Sequence, residues 1–136
     1  MDLLARREHS RLELEQKLAV RSFDVTLVAD VLDDLEREGL LSADRFVQSF
    51  VDARSARGQG PSRIRRELAA RGIDSAAANL DDKRFDWDAK AREARIKRFG
   101  EVLPSSLAEK ARQIRFLEYR GFSHDQIRRA LEFDDE

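Results

Sequence analysis

The chain is predicted to be all-α, with about nine short helices arranged in three stacked units. Three observations carry that reading. A helix-ending motif occurs three times: Leu18, Arg21, Ser22, Phe23; Leu68, Arg71, Gly72, Ile73; and Leu117, Arg120, Gly121, Phe122. Its arginines lie 50 and 49 residues apart, a spacing at which self-similarity marks stacked supersecondary units. Each motif leads into an N-cap residue type, Asp24, Asp74 or Ser123. Between these signals apolar residues recur at helical spacing, and no segment alternates as a strand does.

The elements follow in order. Leu3 and Leu4 read as the tail of a helix that enters Arg6 to Ser10. A second helix runs from Ser10 to Leu18 with Leu14 and Leu18 inward. Asp24 caps a third, whose Val28, Val31, Leu32 and Leu35 keep the helical period and form the core of the first unit. Gly39 stops it, leaving Leu40 to meet Leu35 across the cap. Ser42 caps the next helix, with Leu41 and Phe46 in the staple positions and Phe46, Val47, Phe50 and Val51 as a buried stripe.

The stretch Arg57 to Ile73 (RGQGPSRIRRELAARGI) has complete helix punctuation. Pro61 suits the first helical position, where a missing N–H costs nothing. Ile64 and Leu68 mark the buried edge, and Gly72 supplies the left-handed residue of a Schellman end, with Ile73 against Leu68. Ser22 stands at the same position, and the sequence does not fix whether it takes the left-handed conformation, which costs a non-glycine residue of order 1 kcal/mol. Asp74 to Leu80 is expected to be a short, shallow helix. Asp86 caps a helix from Trp87 to Phe99, ended by Gly100, with Trp87, Ala91 and Ala94 on one face. Ser106 with Glu109, and Ser123 with Gln126, have capping-box spacing. They open two further helices, carrying Ala111, Ile114, Leu117 and Tyr119, then Ile127 and Leu131.

Composition narrows the class. Charged residues make up 39% of the 136 and the apolar set 41%, with six glycines and two prolines. That is the makeup of amphipathic helices in a packed array, not of a disordered tail. The absence of cysteine excludes disulfides and thiolate zinc sites. No apolar run reaches the roughly 20 residues of a membrane span, and no signal h-region is present, so a soluble cytoplasmic protein is expected. The net charge of −1 hides a segregation. Asp24, Asp30, Asp33, Asp34, Glu36 and Glu38 face only Arg37. Later come Lys83, Arg84, Lys90, Arg92, Arg95, Lys97 and Arg98 against Asp86, Asp88 and Glu93, and the chain ends on Glu132, Asp134, Asp135 and Glu136. Such polarity steers a protein toward a charged partner.

Catalysis finds no foothold. His9 and His124 lack partners at metal-ligand spacing and read as surface or cap-adjacent side chains. The Gly58–Pro61 loop lacks the strand and the Lys-Ser/Thr of a P-loop. Asp33 and Asp34 point to different sides of a helix. No catalytic residue, metal or cofactor is assigned. Binding is better supported. Arg57, Arg63, Arg65, Arg66 and Arg71 fall within 15 residues, with Glu67 alone to oppose them, and arginine suits bidentate contact with carboxylate or phosphate. Arg92, Arg95, Lys97 and Arg98 could extend that surface.

At this point the residues carry a family resemblance. GQGPSRIRREL (Gly58 to Leu68) resembles the GxGPxRIRxEL signature of the RecX family, regulators of the bacterial RecA recombinase. RFLEYRGFS (Arg115 to Ser123) is similar to that family's C-terminal motif, and LLARREHSRLELEQKL (Leu3 to Leu18) to its N-terminal one. Asp44, Arg45 and Phe46, Trp87, and the Arg98–Gly100 turn also fit. The sequence departs from the pattern in lacking most of the N-terminal helical lead and in carrying Ser22 where the other corners have glycine.

The resemblance implies three tandem three-helix, helix-turn-helix-like repeats in an elongated, curved array, over 1–41 (its first helix shortened), 42–85 and 86–136. It implies a monomer that binds the groove of the RecA filament on single-stranded DNA. There it would limit filament growth, ATP hydrolysis, strand exchange and LexA cleavage. The principal contacts are expected from Arg57, Arg63, Arg65, Arg66 and Arg71, with Arg115 and Arg120 contributing. The alternative is a stand-alone helix-turn-helix-like protein that binds single- or double-stranded DNA through its basic patches. A steep salt dependence on duplex, without recombinase, would favour that alternative.

Overall fold

The computed structural model describes residues 7–81 and 84–131. Their regular structure is entirely helical: α1 (Arg11–Val20), α2 (Val25–Arg37), α3 (Ala43–Ala56), α4 (Pro61–Ala70), α5 (Trp87–Phe99), α6 (Leu107–Arg120) and α7 (His124–Leu131), with a 3₁₀ turn at Ser75–Ala78 between α4 and α5. The expected helix at Leu3 and Leu4 and the acidic tail lie outside the described residues.

Helix starts follow the punctuation. Asp24, Ser42, Asp74, Asp86, Ser106 and Ser123 each accept a backbone N–H with the side chain. The pair Ser123 and Gln126 completes its capping box. Glu109 does not reciprocate to Ser106, because its carboxylate is taken by Arg112 and Gln113. Ser10 and Glu13, at the same spacing, form a further full box.

The recurrent corner is a Schellman end at all three places. Ile73 N–H donates to Leu68 O and Gly72 N–H to Ala69 O, and Phe23/Ser22 and Phe122/Gly121 repeat the pattern on Leu18, Ala19, Leu117 and Glu118. Ser22 adopts φ 66°, so a non-glycine residue does occupy the left-handed position. The segment after Asp74 is shorter than expected, a single 3₁₀ turn ended by Asn79 at φ 50°.

Packing divides the chain unequally. Leu14, Val28, Leu32, Leu35 and Leu41 make a small core for the first unit. A second, continuous core runs from Phe46 through Ile64, Leu68, Leu80, Trp87 and Leu117 to Leu131, so the second and third units are fused. Trp87 is fixed by its indole N–H donating to Leu80 O at 2.8 Å. Val31 departs from the expected core: it is exposed, because α2 turns that flank to solvent while Val28, Leu32 and Leu35 face α1. Phe23 and Tyr119 are likewise outside the core, at 50% and 72% exposure.

Backbone geometry joins the last two units. The N–H groups of Gly60 and Ser62 donate to Arg120 O and Gly121 O at 2.7 and 2.9 Å. Two orphan donors at the start of α4 thereby meet the orphan carbonyls ending α6, a head-to-tail alignment of helix dipoles. The approach leaves no room for side chains. A Cβ on Gly60 would lie 2.6 Å from the Gly121 carbonyl carbon. The first two units meet differently, through Arg71–Glu13, Arg45–Glu8 and the seating of Gly72 on Leu12.

Candidate functional site

The arginines expected to form one ridge are distributed over four environments. Arg71 lies at the junction of the first two units. Its Nε pairs with Glu13 at 3.3 Å, its Nη1 donates to Glu67 O, and its guanidinium lies 4.8 Å from the Phe50 ring centroid. Glu13 also accepts the Ser10 N–H and pairs with Arg7. Burial works to raise this carboxyl's pKa, but the Ser10 hydrogen bond and the two arginines hold it below its ordinary value. Arg71 is therefore engaged within the molecule, by the Glu13 carboxylate, the Glu67 carbonyl and the Phe50 ring.

Arg65 pairs with Asp81 at 3.1 Å. Arg63 pairs with Glu67 at 3.0 Å, and Glu67 also takes Arg54. Acids thus engage more of this cluster than its sequence balance suggested, since Glu13 and Asp81 arrive from outside α4.

What remains is an open face and a groove. The open face is shared by α4 and α6 and is formed by Arg63, Arg66, Glu67, Arg115, Glu118 and Tyr119. Arg63 lies 5.1 Å from the centroid of the Tyr119 ring. Arg66 and Arg115 are exposed and take part in no salt bridge among the described residues. An exposed tyrosine between arginines is a combination typical of interface hot spots.

The groove, of about 430 Å³, lies between the α3–α4 corner and helices α5 and α6. Arg57 and Arg120 reach it, joined by Lys90, Lys97 and Arg98 from α5, with Phe116 behind them. Glu93 is the one carboxylate in its lining. The α5 bases were visible in the sequence, but their grouping was not. The signal was the spacing of Lys90, Ala94, Lys97 and Arg98, which puts them on one helical face.

Arg95, expected on the basic strip, is fully buried. Its Nε donates to Ala130 O, and its Nη groups point to Gly100 O, Glu101 O, Val102 O and Gln113 Oε1 at 3.4 to 3.5 Å. It sits on the inward side of α5, binding the ends of α5 and α7 to α6. Burial, and then Arg92, lower its pKa. His9 is buried beside the Ser10 cap, the cap-adjacent one of its two expected placements. Its Nδ1 lies 3.1 Å from Arg7 O, so that nitrogen carries the proton and donates, and Nε2 accepts from Lys17 Nζ at 3.1 Å. His124 is exposed. Among the described residues no cluster of His, Asp or Glu is arranged to hold a metal ion, and no helix is long and apolar enough to cross a membrane.

Comparison with known proteins agrees with this architecture along nearly the whole chain. Family models match residues 1–35 as the first RecX three-helix domain, 44–79 as the second and 86–131 as the third. The chain is 48% identical to the regulatory protein RecX of Halorhodospira halophila, over 98% of this chain and 84% of that one. It is 46% identical to that of Ectopseudomonas mendocina, covering 100% and 92%. The crystal structure of RecX from Lactobacillus salivarius is similar in fold, with a TM-score of 0.78 at 20% identity, covering 98% of this chain and 90% of that one.

Proposed function

Because the chain belongs to the RecX family, we propose that it is a non-enzymatic modulator of the RecA recombinase. In this reading it binds the groove of the RecA filament on single-stranded DNA. It acts as an inhibitor, limiting filament growth, ATP hydrolysis, strand exchange and LexA cleavage. The observation that carries the assignment is the open face of α4 and α6. There Arg66 and Arg115 are exposed without a salt bridge among the described residues, beside an exposed Tyr119. The fused second and third units hold these two helices in fixed relation, so the face is preorganised and little ordering is needed on binding.

Recombinase ATPase on single-stranded DNA tests the proposal. Wild-type chain should suppress it, and Arg66→Glu with Arg115→Glu should weaken suppression by about tenfold or more. Full suppression by that variant, with helicity and melting unchanged, would remove this face from the reading. A wild-type chain without effect on the filament would remove the function itself.

A further inference from the structure

We propose that the groove between the α3–α4 corner, α5 and α6 binds successive phosphates of a single nucleic-acid strand. Arg57, Lys90, Lys97, Arg98 and Arg120 line it with Phe116, opposed by Glu93 alone. None of the five bases takes part in a salt bridge among the described residues, although arginines nearby on α3 and α4 do. A recess walled by unneutralised charge focuses the field inward and concentrates anions there.

Two of the guanidinium groups are held ready. Arg120 lies 4.9 Å from the Phe116 ring centroid and donates from Nη1 to Arg57 O at 2.8 Å, leaving its other N–H groups for a ligand. Arg98 lies 5.3 and 5.9 Å from the centroids of Phe99 and Phe116. Side chains ordered before binding lose less entropy when they engage an anion. Lys90 and Lys97 are two turns apart on α5, about 10 Å along its axis, so the cations form a row and not a point. A row selects a ligand with regularly repeated negative charge. Because the cations line a recess, a single flexible strand can follow them where a rigid duplex would touch only the edges. Gly58, at φ 85°, forms part of the wall, and a Cβ there would stand 3.4 Å from Arg120 Nη1, at the limit of close contact.

This deepens the recombinase reading, in which such a strand lies within the filament, but its test contains no recombinase, so the two can fail separately. A fluorescent oligothymidine of about fifteen nucleotides is titrated with the full chain at several salt concentrations. Binding should show a log–log salt slope near −2, about −0.7 for each of three phosphates on a single strand. Lys97→Gln with Arg98→Gln should lower affinity about tenfold and bring the slope toward −1, with helicity and melting unchanged. Arg21→Gln with Arg37→Gln, exposed in the first unit and outside the groove lining, should leave binding within about twofold. Affinity and slope unaltered in the Lys97/Arg98 variant would overturn the proposal. So would tighter binding of a duplex of equal length, or displacement of the oligonucleotide by polyglutamate at equal charge, which would assign the groove to an acidic protein segment.

Discussion

Arg120 Nη1 donates to the main-chain oxygen of Arg57 at 2.8 Å, across the junction of the second and third units. Arg71, 49 residues earlier, reaches across the preceding junction to Glu13. In both cases the arginine that ends a corner helix fastens its own unit to the one before. Arg21, at the first corner, is exposed. The repeated arginine is thus a joint at the second and third corners, and at Arg120 the joint also faces the groove lined by Lys90, Lys97 and Arg98.

The glycine of the last corner is held by contact as well as by conformation. Gly121 has φ 100°, and a Cβ there would overlap Arg63 Cβ and come within 2.6 Å of Arg63 N. Gly121→Ala should cost about 3 kcal/mol, the left-handed penalty plus overpacking. Gly39→Ala, at φ 77° with open space around it, should cost only about 1 kcal/mol. Urea unfolding of the two variants checks the difference, and equal losses would contradict the close-approach account.

Ionic strength should act selectively on the first junction. The pair Arg71–Glu13 is partly shielded, at 28% and 16% side-chain exposure. A double-mutant cycle of Arg71→Met and Glu13→Gln should give a coupling of about 1 kcal/mol that shrinks in high salt. The fused core of the second and third units should respond far less, since apolar burial is not screened. A coupling of zero at low salt would mean that Leu12 against Gly72 and the Arg45–Glu8 pair hold the junction without it.

Acidification should loosen the first unit. Burial, followed by the charges of Arg7 and Lys17, lowers the His9 pKa below its ordinary 6.5. The unfolded chain therefore takes up this proton first, and stability falls as pH drops from 6.5 toward the lowered value. Glu13 adds a second loss below its ordinary 4.5, because its folded pKa is depressed. Unfolding midpoints at pH 7.5 and 5.5 should differ in the wild type and differ less in His9→Gln. An equal shift in both would exclude His9 as the sensor.

Arg95 should resist even conservative replacement. One guanidinium addresses carbonyls at the ends of two helices, a geometry that an ammonium cannot match. Arg95→Lys should destabilise by about 2 kcal/mol, chiefly by leaving the buried Ala130 carbonyl unpaired, and thermal melting reads the loss directly. A melting point equal to wild type would show that water satisfies that oxygen.

Sequence by itself determined where helices begin and end. Capping serines and aspartates, left-handed corners and apolar periods act within a few residues, so their physics is local. It also determined the threefold recurrence of the corner and, through GQGPSRIRREL and RFLEYRGFS, the family. Only the tertiary structure decided which charges are available. Glu13 and Asp81 neutralise Arg71 and Arg65 from outside their own helix, main-chain carbonyls of two helix ends claim Arg95, and packing of α5 against α6 brings Lys90, Lys97 and Arg98 to Arg57 and Arg120. The tertiary structure also explains Ser22. The later corners press their glycines against Leu12 and Arg63, whereas the first stands exposed and tolerates a Cβ. Hydrogen bonds within a turn are written in adjacent residues, but a charge is free or spent according to what folding brings beside it.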